Sequence, residues 1–273
     1  MGVTLEDLRA RYDFVSAERR VEEVVTAATA EPVALVRLLS RYIQWNSGFG
    51  SGVATLAGKI GRQHDLFLDP DEPVRAVADR SVHVASFIFD AARDEFDDGA
   101  TRHRDTHRTL GQAVIKGLLE EFSLGAEVLD RPAWLEALER RTQQGYGLNT
   151  PDDLWFTGLG MGFHLGSEVL ADEEFSLIDR TLRLRRPELV QALLRKRVRV
   201  ADQEHPAYYW IGIHSGHGGS VEAEHFEWAV KGVAEAFRYT PPEAREVLRA
   251  AVLAGFDAFC DCHEAFFARV QEP

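Results

Sequence analysis

A dense group of histidines and glutamates occupies residues 214–229, whose sequence is HSGHGGSVEAEHFEWA. Three histidines and three glutamates fall in this segment, together with glycines but with no lysine or arginine. Imidazoles and carboxylates bind divalent transition metals, and they are also the usual groups of acid–base catalysis. The segment therefore favours either a metal site or a proton-transfer site.

The spacing of Glu222 and His225 is the most specific feature of this segment. If residues 219–237 form a helix, the two side chains share a face because they are three residues apart. An inward-facing Glu-x-x-His pair is the unit that carboxylate-bridged di-iron bundles use. The same pair also occurs on ordinary helices, as a surface glutamate beside a half-buried histidine, and Glu224 and Glu227 are expected on the solvated face.

Glycines interrupt the same region. A helix is predicted over residues 205–237, and the glycines at 216, 218 and 219 each destabilise it by roughly 1 kcal/mol relative to alanine. We therefore expect a break at this point. A break would let His214 or His217 face the same centre as His225, which a continuous helix would not allow for both.

Two other segments carry groups of the same kind. Residues 94–107, DEFDDGATRHRDTH, place Glu95 at the end of one predicted helix and His107 at the start of the next. Glu168 lies in GMGFHLGSEVLADEEF among small and apolar residues, where an unpaired carboxylate is costly. We expect Glu168 to contact either a metal or a buried arginine.

The elements that position these residues are helices. Apolar residues recur every three or four positions along nearly the whole chain, which predicts an all-α protein, and VRV at 198–200 is too short to predict a strand. Thr240 and Glu243 predict a capping box for the last helix. The predicted helices are 4–12, 16–29, 32–45, 52–63, 72–96, 104–122, 132–144, 151–171, 173–196 and 205–237, and a final helix buries the stripe Leu248, Val252, Phe256, Phe259, His263 and Phe266.

Length and composition limit the classes of protein. The 273 residues contain no linker-like segment and no fixed-period repeat, so we predict one domain over 1–273, in which 1–31 could form an N-terminal helical arm. A net charge of −13 argues against nucleic acid and anionic membranes as partners. No segment has the roughly 18 apolar residues of a membrane helix, and the N-terminus does not read as a signal peptide, so we expect a cytoplasmic protein.

Three segments together resemble the heme-oxygenase-like di-iron oxidases and oxygenases, relatives of the thiaminase-II and pyrroloquinoline-quinone-synthase folds. They are DEFDDG followed by THRTLGQAVIKGL, then GFHLGSEVLADEEFSLI, then YYWIGIHSGHGGSVEAEHFEWAV. The likeness runs from about residue 32 to the C-terminus. It implies an all-α heme-oxygenase-like bundle of about seven core helices with a short N-terminal helical extension. The ligands that it implies are Glu95, His107, Glu168, His214, Glu222 and His225.

The chain departs from the family's third metal helix. Family members usually have Asp at the position of Glu222 and His four residues before it, where this chain has Gly218. His214 follows the aromatic run as the family's histidine does, so we assign it as the ligand, with His217 as its rival.

The first glutamate turn departs as well. The family usually has a glycine where Asp97 stands. His103 competes with His107 for the ligand position, but a solvated role is expected for His103 because it lies in a basic, polar loop.

The resemblance implies a non-heme di-iron oxidase or oxygenase with two irons per chain, cycling between Fe(II) and Fe(III), and dioxygen as co-substrate. Three glutamates, three histidines and no thiolate suit this chemistry. The expected substrate is a small amine- or carboxylate-bearing metabolite, oxidised by N-oxygenation or C–C cleavage in a biosynthetic pathway. An external electron donor is implied; manganese in place of one iron and a homodimer stay open.

Several other residues admit two interpretations. His164 is either a support or alternative ligand beside Glu168 or a core histidine. The aromatic run of Tyr208, Tyr209 and Trp210 could line a pocket or only pack helices. The arginines before Glu95, which are Arg75, Arg80 and Arg93, could bind a substrate carboxylate or lie exposed. Cys260, Cys262 and His263 are expected to pack in the core rather than bind metal.

Two other functions are compatible with the same residues. One is a metal-free enzyme of the thiaminase or quinone-synthase kind, whose histidines and glutamates would bind substrate directly. The other is a non-catalytic binding protein on the same scaffold, which would not require Glu168 in an apolar segment.

Overall fold

The computed structural model describes residues 2–98, 105–215 and 221–272, except for the side chains of residues 92, 94, 172 and 221–224. The helices are α1 (Leu5–Arg9), α2 (Phe14–Ala28), α3 (Pro32–Asn46), α4 (Phe49–Gly61), α5 (Arg75–Ala78), α6 (Ser81–Phe96), α7 (His107–Phe122), α8 (Ala133–Gly145), α9 (Leu154–Arg185), α10 (Pro187–Arg195), α11 (Tyr209–His214), α12 (Val221–Tyr239) and α13 (Arg245–Arg269). Two short strands, β1 (Arg197–Val200) and β2 (Gln203–Pro206), pair antiparallel. The all-α prediction is confirmed. None of the helices in the described ranges combines the length and the apolar character that crossing a membrane requires.

Short polar side chains begin several helices. Thr4 accepts a hydrogen bond from the Asp7 N–H and donates its own N–H to the Asp7 carboxylate, which is a complete capping box for α1. Asp153 caps α9, and Thr106 caps α7 through the N–H of the third residue that follows. The cap at Thr106 places His107 at the first turn of α7.

The pair α9 and α13 makes the most extensive helix contact among the described residues. Glycines allow it: a Cβ at Gly162 of α9 would overlap the Val252 carbonyl oxygen, and one at Gly255 of α13 would overlap the Leu159 carbonyl oxygen. The two backbones can touch because neither glycine has a side chain. The stripe predicted on α13 is buried throughout: Leu248, Val252, Phe256, Phe259, His263 and Phe266.

Five helices beside this pair carry the candidate ligands or close the space between them. α6 packs against α4 and α12, and α12 packs in turn against α9. α11 is short but contacts both α7 and α9. Helices that are distant in sequence therefore bring the histidines and glutamates to one region.

The first two helices are attached to the core by burial and by ion pairs. Leu8, Val21 and Val25 belong to the same apolar cluster as the α9 and α13 residues. Arg11, just after α1, pairs with Asp257 of α13. Apolar contact is the larger contribution, because exposed ion pairs are worth little.

The strand pair shows that the expectation of no strand at VRV was wrong. Val198 and Val200 are buried on one face of β1, and a two-residue turn at Ala201 and Asp202 connects it to β2. Ala201 has a φ of 54°, the left-handed conformation that such turns require. Asn-Gly or Asp-Gly would signal this turn in a sequence, and Ala-Asp does not.

Some predicted helix boundaries were also wrong. The predicted helix 72–96 is α5 and α6, separated where the Asp79 side chain accepts a hydrogen bond from a backbone N–H of the next helix. The predicted helices 151–171 and 173–196 are in fact α9, which runs without a break through residue 172 to Arg185, and α10, which starts at Pro187. Proline favours the first position of a helix because it needs no N–H partner there.

The region from 205 to 240 differs from the prediction in two ways. The predicted helix 205–237 is replaced by β2, α11 and α12, and residues 216–220 between the last two lie outside the described residues. The capping box at Thr240 is wrong, because its hydroxyl donates to the Ala236 carbonyl at 2.7 Å. α13 starts only at Arg245, after a short 3-10 turn.

Candidate functional site

Five of the six predicted ligands have described side chains, and all five line one cavity of about 340 Å³. They come from five helices: Glu95 from α6, His107 from α7, Glu168 from α9, His214 from α11 and His225 from α12. The sixth, Glu222, belongs to α12, but its side chain lies outside the described residues. His103 and His217, the two rivals, also lie outside them.

Glu95 and His107 face each other across the gap between α6 and α7. The distance between Glu95 Oε1 and His107 Nδ1 is 3.2 Å. His107 is buried, whereas the Glu95 side chain is 28% exposed. Gly50 of α4 leaves space for the carboxylate, since a Cβ there would lie 2.8 Å from Glu95 Cβ.

Glu168 lies between two histidines in the buried part of the cavity. Its Oε1 is 3.2 Å from His164 Nδ1, and its Oε2 is 3.7 Å from His225 Nδ1. Burial raises the pKa of Glu168 to about 7, the neighbouring Glu95 adds to this rise, and His225 opposes it. This carboxyl group can therefore hold or release a proton near neutral pH.

His164 supports Glu168 from behind rather than lining the cavity. Its side chain is fully buried, one helical turn before Glu168. Burial lowers the pKa of His164 to about 3, and the nearby His225 contributes to the decrease. The ring is therefore neutral at neutral pH, in contact with the carboxylate that was expected to need a buried arginine or a metal.

His214 is held in one orientation by its own helix and by an aromatic neighbour. Its Nδ1 lies 2.6 Å from the Trp210 carbonyl oxygen, so Nδ1 carries the proton and Nε2 is the basic nitrogen. The ring stacks on Phe175 and meets the His107 ring edge-on at a centroid distance of 4.6 Å. Burial, reinforced by His107, lowers the pKa of His214 well below its usual value.

The donor set fits a non-heme iron or manganese pair in chemical type. Carboxylate oxygens and neutral imidazole nitrogens suit these metals, and no described lysine or arginine pairs with Glu95 or Glu168. Within the described side chains, no group of three or more His, Cys, Asp or Glu is close enough to hold a metal ion as it stands. The side chain of Glu222, the sixth predicted ligand, lies outside these described side chains.

The rest of the cavity wall is mostly apolar and aromatic. Trp45, Phe49, Phe175, Trp210 and Phe259 line it. Arg108 is the one arginine or lysine among the described lining residues, and it donates a hydrogen bond to the Ser47 hydroxyl at 2.8 Å.

The weaker sequence candidates divide between wall and scaffold. Of the aromatic run, Trp210 lines the cavity, while the Tyr208 hydroxyl donates to buried Asp179 at 2.7 Å. Of the arginines, Arg75 pairs with exposed Asp65 and Arg80 with half-buried Asp69, and neither they nor Arg93 line the cavity.

The two cysteines lie in the core as free thiols. Burial raises the pKa of Cys262 to about 11 and raises that of Cys260 further. Both thiols therefore stay protonated at neutral pH, and metal binding needs thiolates. His263 instead contacts Tyr12 and Glu174.

The sequence interpretation missed Glu174 and Arg108 as cavity residues. Glu174 is the last of three consecutive acids, and helix geometry alone points neighbouring residues in different directions. A correct prediction that α9 continues past residue 172 would have placed Glu174 on the same helix as Glu168, less than two turns further along. Arg108 directly follows His107, which is the only signal for its position.

No protein-family model matches the chain, and no curated protein sequence matches it significantly. A CADD-like protein of unknown function from Nostoc punctiforme is similar in structure, with a TM-score of 0.53, 15% identity and coverage of 95% of this chain and 97% of that one. A TenA homolog from Pseudomonas syringae pv. tomato is similar with a TM-score of 0.50, 12% identity and coverage of 94% and 88%. The chain therefore has the helical heme-oxygenase-like fold of CADD and TenA proteins.

Proposed function

We propose that this protein is a non-heme di-iron oxidase or oxygenase that acts on a small carboxylate-bearing substrate. The observation that carries the proposal is the convergence of Glu95, His107, Glu168, His214 and His225, from five helices, on one largely buried cavity. Glu222, three residues before His225, completes the proposed ligand set.

When bound, the two irons would supply the binding and reduction of dioxygen. The residues of this chain prepare the site for them. The Trp210 carbonyl fixes the His214 ring with its basic nitrogen away from the backbone. Glu168 must lose its proton to become a ligand, so iron binding should release a proton below about pH 7.

The cavity wall supports an apolar substrate with one anionic end. Aromatic rings offer a dry surface that would hold an alkyl chain or a ring. Arg108 presents a guanidinium, which pairs well with a carboxylate. An electron donor from outside the chain completes the reaction.

The test measures oxygen consumption by the Fe(II)-loaded protein with an external reductant and a panel of alkyl and aromatic carboxylic acids. Acids should stimulate consumption more than their methyl esters, and Arg108→Gln should remove this preference. Glu168→Gln should abolish the iron-dependent rate, and His64→Gln, at an exposed histidine, should not. Consumption equal to that of free iron in every variant would reject the proposal.

A metal-free enzyme of the TenA kind is the second candidate. The similarity to a TenA homolog and the buried Glu168–His225 pair, an acid beside a base, favour it. In that case conversion of a substrate would survive complete chelation of metal and would require no dioxygen.

A further inference from the structure

A row of four polar side chains in mutual contact crosses the apolar core beside the candidate site. The Tyr42 hydroxyl donates to Glu174 Oε2 at 2.6 Å, and Glu174 Oε1 lies 2.9 Å from His263 Nε2. On the other side of the ring, His263 Nδ1 lies 3.2 Å from the Tyr12 hydroxyl. The four residues belong to segments as far apart as the start of the chain and α13.

Two members of this row, Glu174 and Tyr12, line different spaces. Glu174 lines the central cavity, next to the candidate ligands. Tyr12 lines a separate surface pocket with Arg11, Asp257 and Glu264. His263 lies between them and is 1% exposed. A connection between solvent and the cavity at this place therefore runs through the side chains themselves.

Each side chain of this row can pass on a proton. An imidazole accepts at one nitrogen and donates at the other, and a carboxylate accepts a proton and can donate it once it is protonated. Burial, reinforced by Cys260 and Glu264, raises the pKa of Tyr12, so its phenol keeps a proton to donate. A core filled only for stability would favour apolar side chains at the two buried positions.

The contact between His263 Nε2 and Glu174 Oε1 is the one junction of the row that lacks a hydrogen bond. The two atoms are within hydrogen-bonding distance, but Nε2 does not make a hydrogen bond at the present angle. A rotation of the His263 ring would be needed to align Nε2 with the carboxylate. Proton passage would therefore be controlled at this point.

We propose that Tyr12, His263 and Glu174 form a relay that carries protons from the surface to the cavity. The inference rests on the proposed function, because reduction of dioxygen to water consumes protons. Each transfer moves one proton and no electrons. A proton from water binds the Tyr12 oxygen as the phenol proton passes to His263 Nδ1, the Nε2 proton passes to Glu174, and Glu174 releases its proton to the reduced oxygen.

The test begins with metal-free protein labelled with ¹⁵N. Exchange of the His263 imidazole proton with solvent, followed by NMR, should slow by about 100-fold in Tyr12→Phe, the lower end of what a positioned proton-transfer group contributes. Tyr239→Phe removes a phenol outside the relay and should leave this exchange unchanged. Equal exchange in the parent and in Tyr12→Phe would overturn the relay.

A second measurement uses the Fe(II)-loaded protein. Tyr12→Phe and Glu174→Gln should both slow oxygen consumption and proton uptake while the iron content stays that of the parent. Unchanged proton uptake in both variants would contradict the relay. If the parent binds no iron but His263 exchange still depends on Tyr12, the proton path stands and the oxidase does not, so the two failures are distinguishable.

Discussion

Burial makes the charged form of the Glu168 carboxylate unfavourable, and the neighbouring groups show what offsets that cost. Two histidines contact it, and no described arginine or lysine does. In the protein without metal, its high pKa means that a proton neutralises it over part of the pH range. A metal would replace that proton with a stronger positive charge.

The pH dependence of stability follows from this shift. The pKa of Glu168 is raised from 4.5 to about 7 on folding, so its ionisation destabilises the metal-free fold as pH rises through that window. Glu168→Gln should therefore be more stable than the parent at pH 8, by up to about 3 kcal/mol, with the advantage disappearing below pH 5. His164 has the opposite dependence, since its lowered pKa reduces stability as pH falls below 6.5, but both proteins share it.

Chemical denaturation at pH 5 and pH 8 measures this difference. Glu227→Gln, at an exposed glutamate on α12, is the matched control and should show no such dependence. An equal loss of stability in Glu168→Gln at both pH values would show that the carboxylate makes a favourable contact that the structure does not reveal.

At the residue scale, the family resemblance, together with donor types and spacing, selected residues that share one cavity. Glu168 was identifiable because a carboxylate among glycines and leucines needs a partner that offsets the cost of its burial. Arg108 was not, because a single arginine carries no spacing signal. The interval of four residues between His164 and Glu168 left open whether His164 supports the carboxylate or only packs in the core. Which side of a helix faces a cavity depends on its partner helices, and one sequence does not contain that information.

The contact between α9 and α13 is the element-scale feature on which the site depends. α9 carries Glu168 and α13 carries His263, and the two helices touch backbone to backbone at Gly162 and Gly255. A side chain at either glycine must push the helices apart, because a carbonyl group of the backbone cannot rotate away.

Gly162→Ala should therefore lower the free energy of unfolding by about 2 kcal/mol or more, as overpacking of a core does. Gly58→Ala is the control, because a Cβ at Gly58 of α4 meets nothing within 4 Å. It should be neutral or stabilise by about 0.5–1 kcal/mol, the usual gain for alanine in a helix. Urea denaturation of the parent, Gly162→Ala and Gly58→Ala measures these free energies of unfolding. Equal stability of Gly162→Ala and the parent would contradict the close packing.

Helix content was predictable at this scale, and the ends of the helices were less so. The apolar period identifies α13 and its buried stripe correctly. It failed at residue 172, where three acids look like a loop but continue α9, and at Ala201, where the turn lacks the glycine that marks most hairpins. In both places tertiary packing outweighs the local preference of the sequence.

At the scale of the whole molecule, the candidate ligands belong to five helices that lie between Ser81 and Tyr239. A metal that binds only the folded state stabilises it by mass action, by about 2.7 kcal/mol at a free concentration of 100 times its Kd. Such ligands would act together, so loss of one should weaken the connection between all five helices.

The most direct measurement is the iron content per chain after anaerobic Fe(II) loading and removal of free metal, with the thermal midpoint of the same samples. A two-metal site should give about two irons per chain in the parent and a raised midpoint. His225→Ala should lose both, while His64→Ala, at an exposed histidine, should keep them. The same background iron in all three proteins, with no change in midpoint, would contradict the metal site.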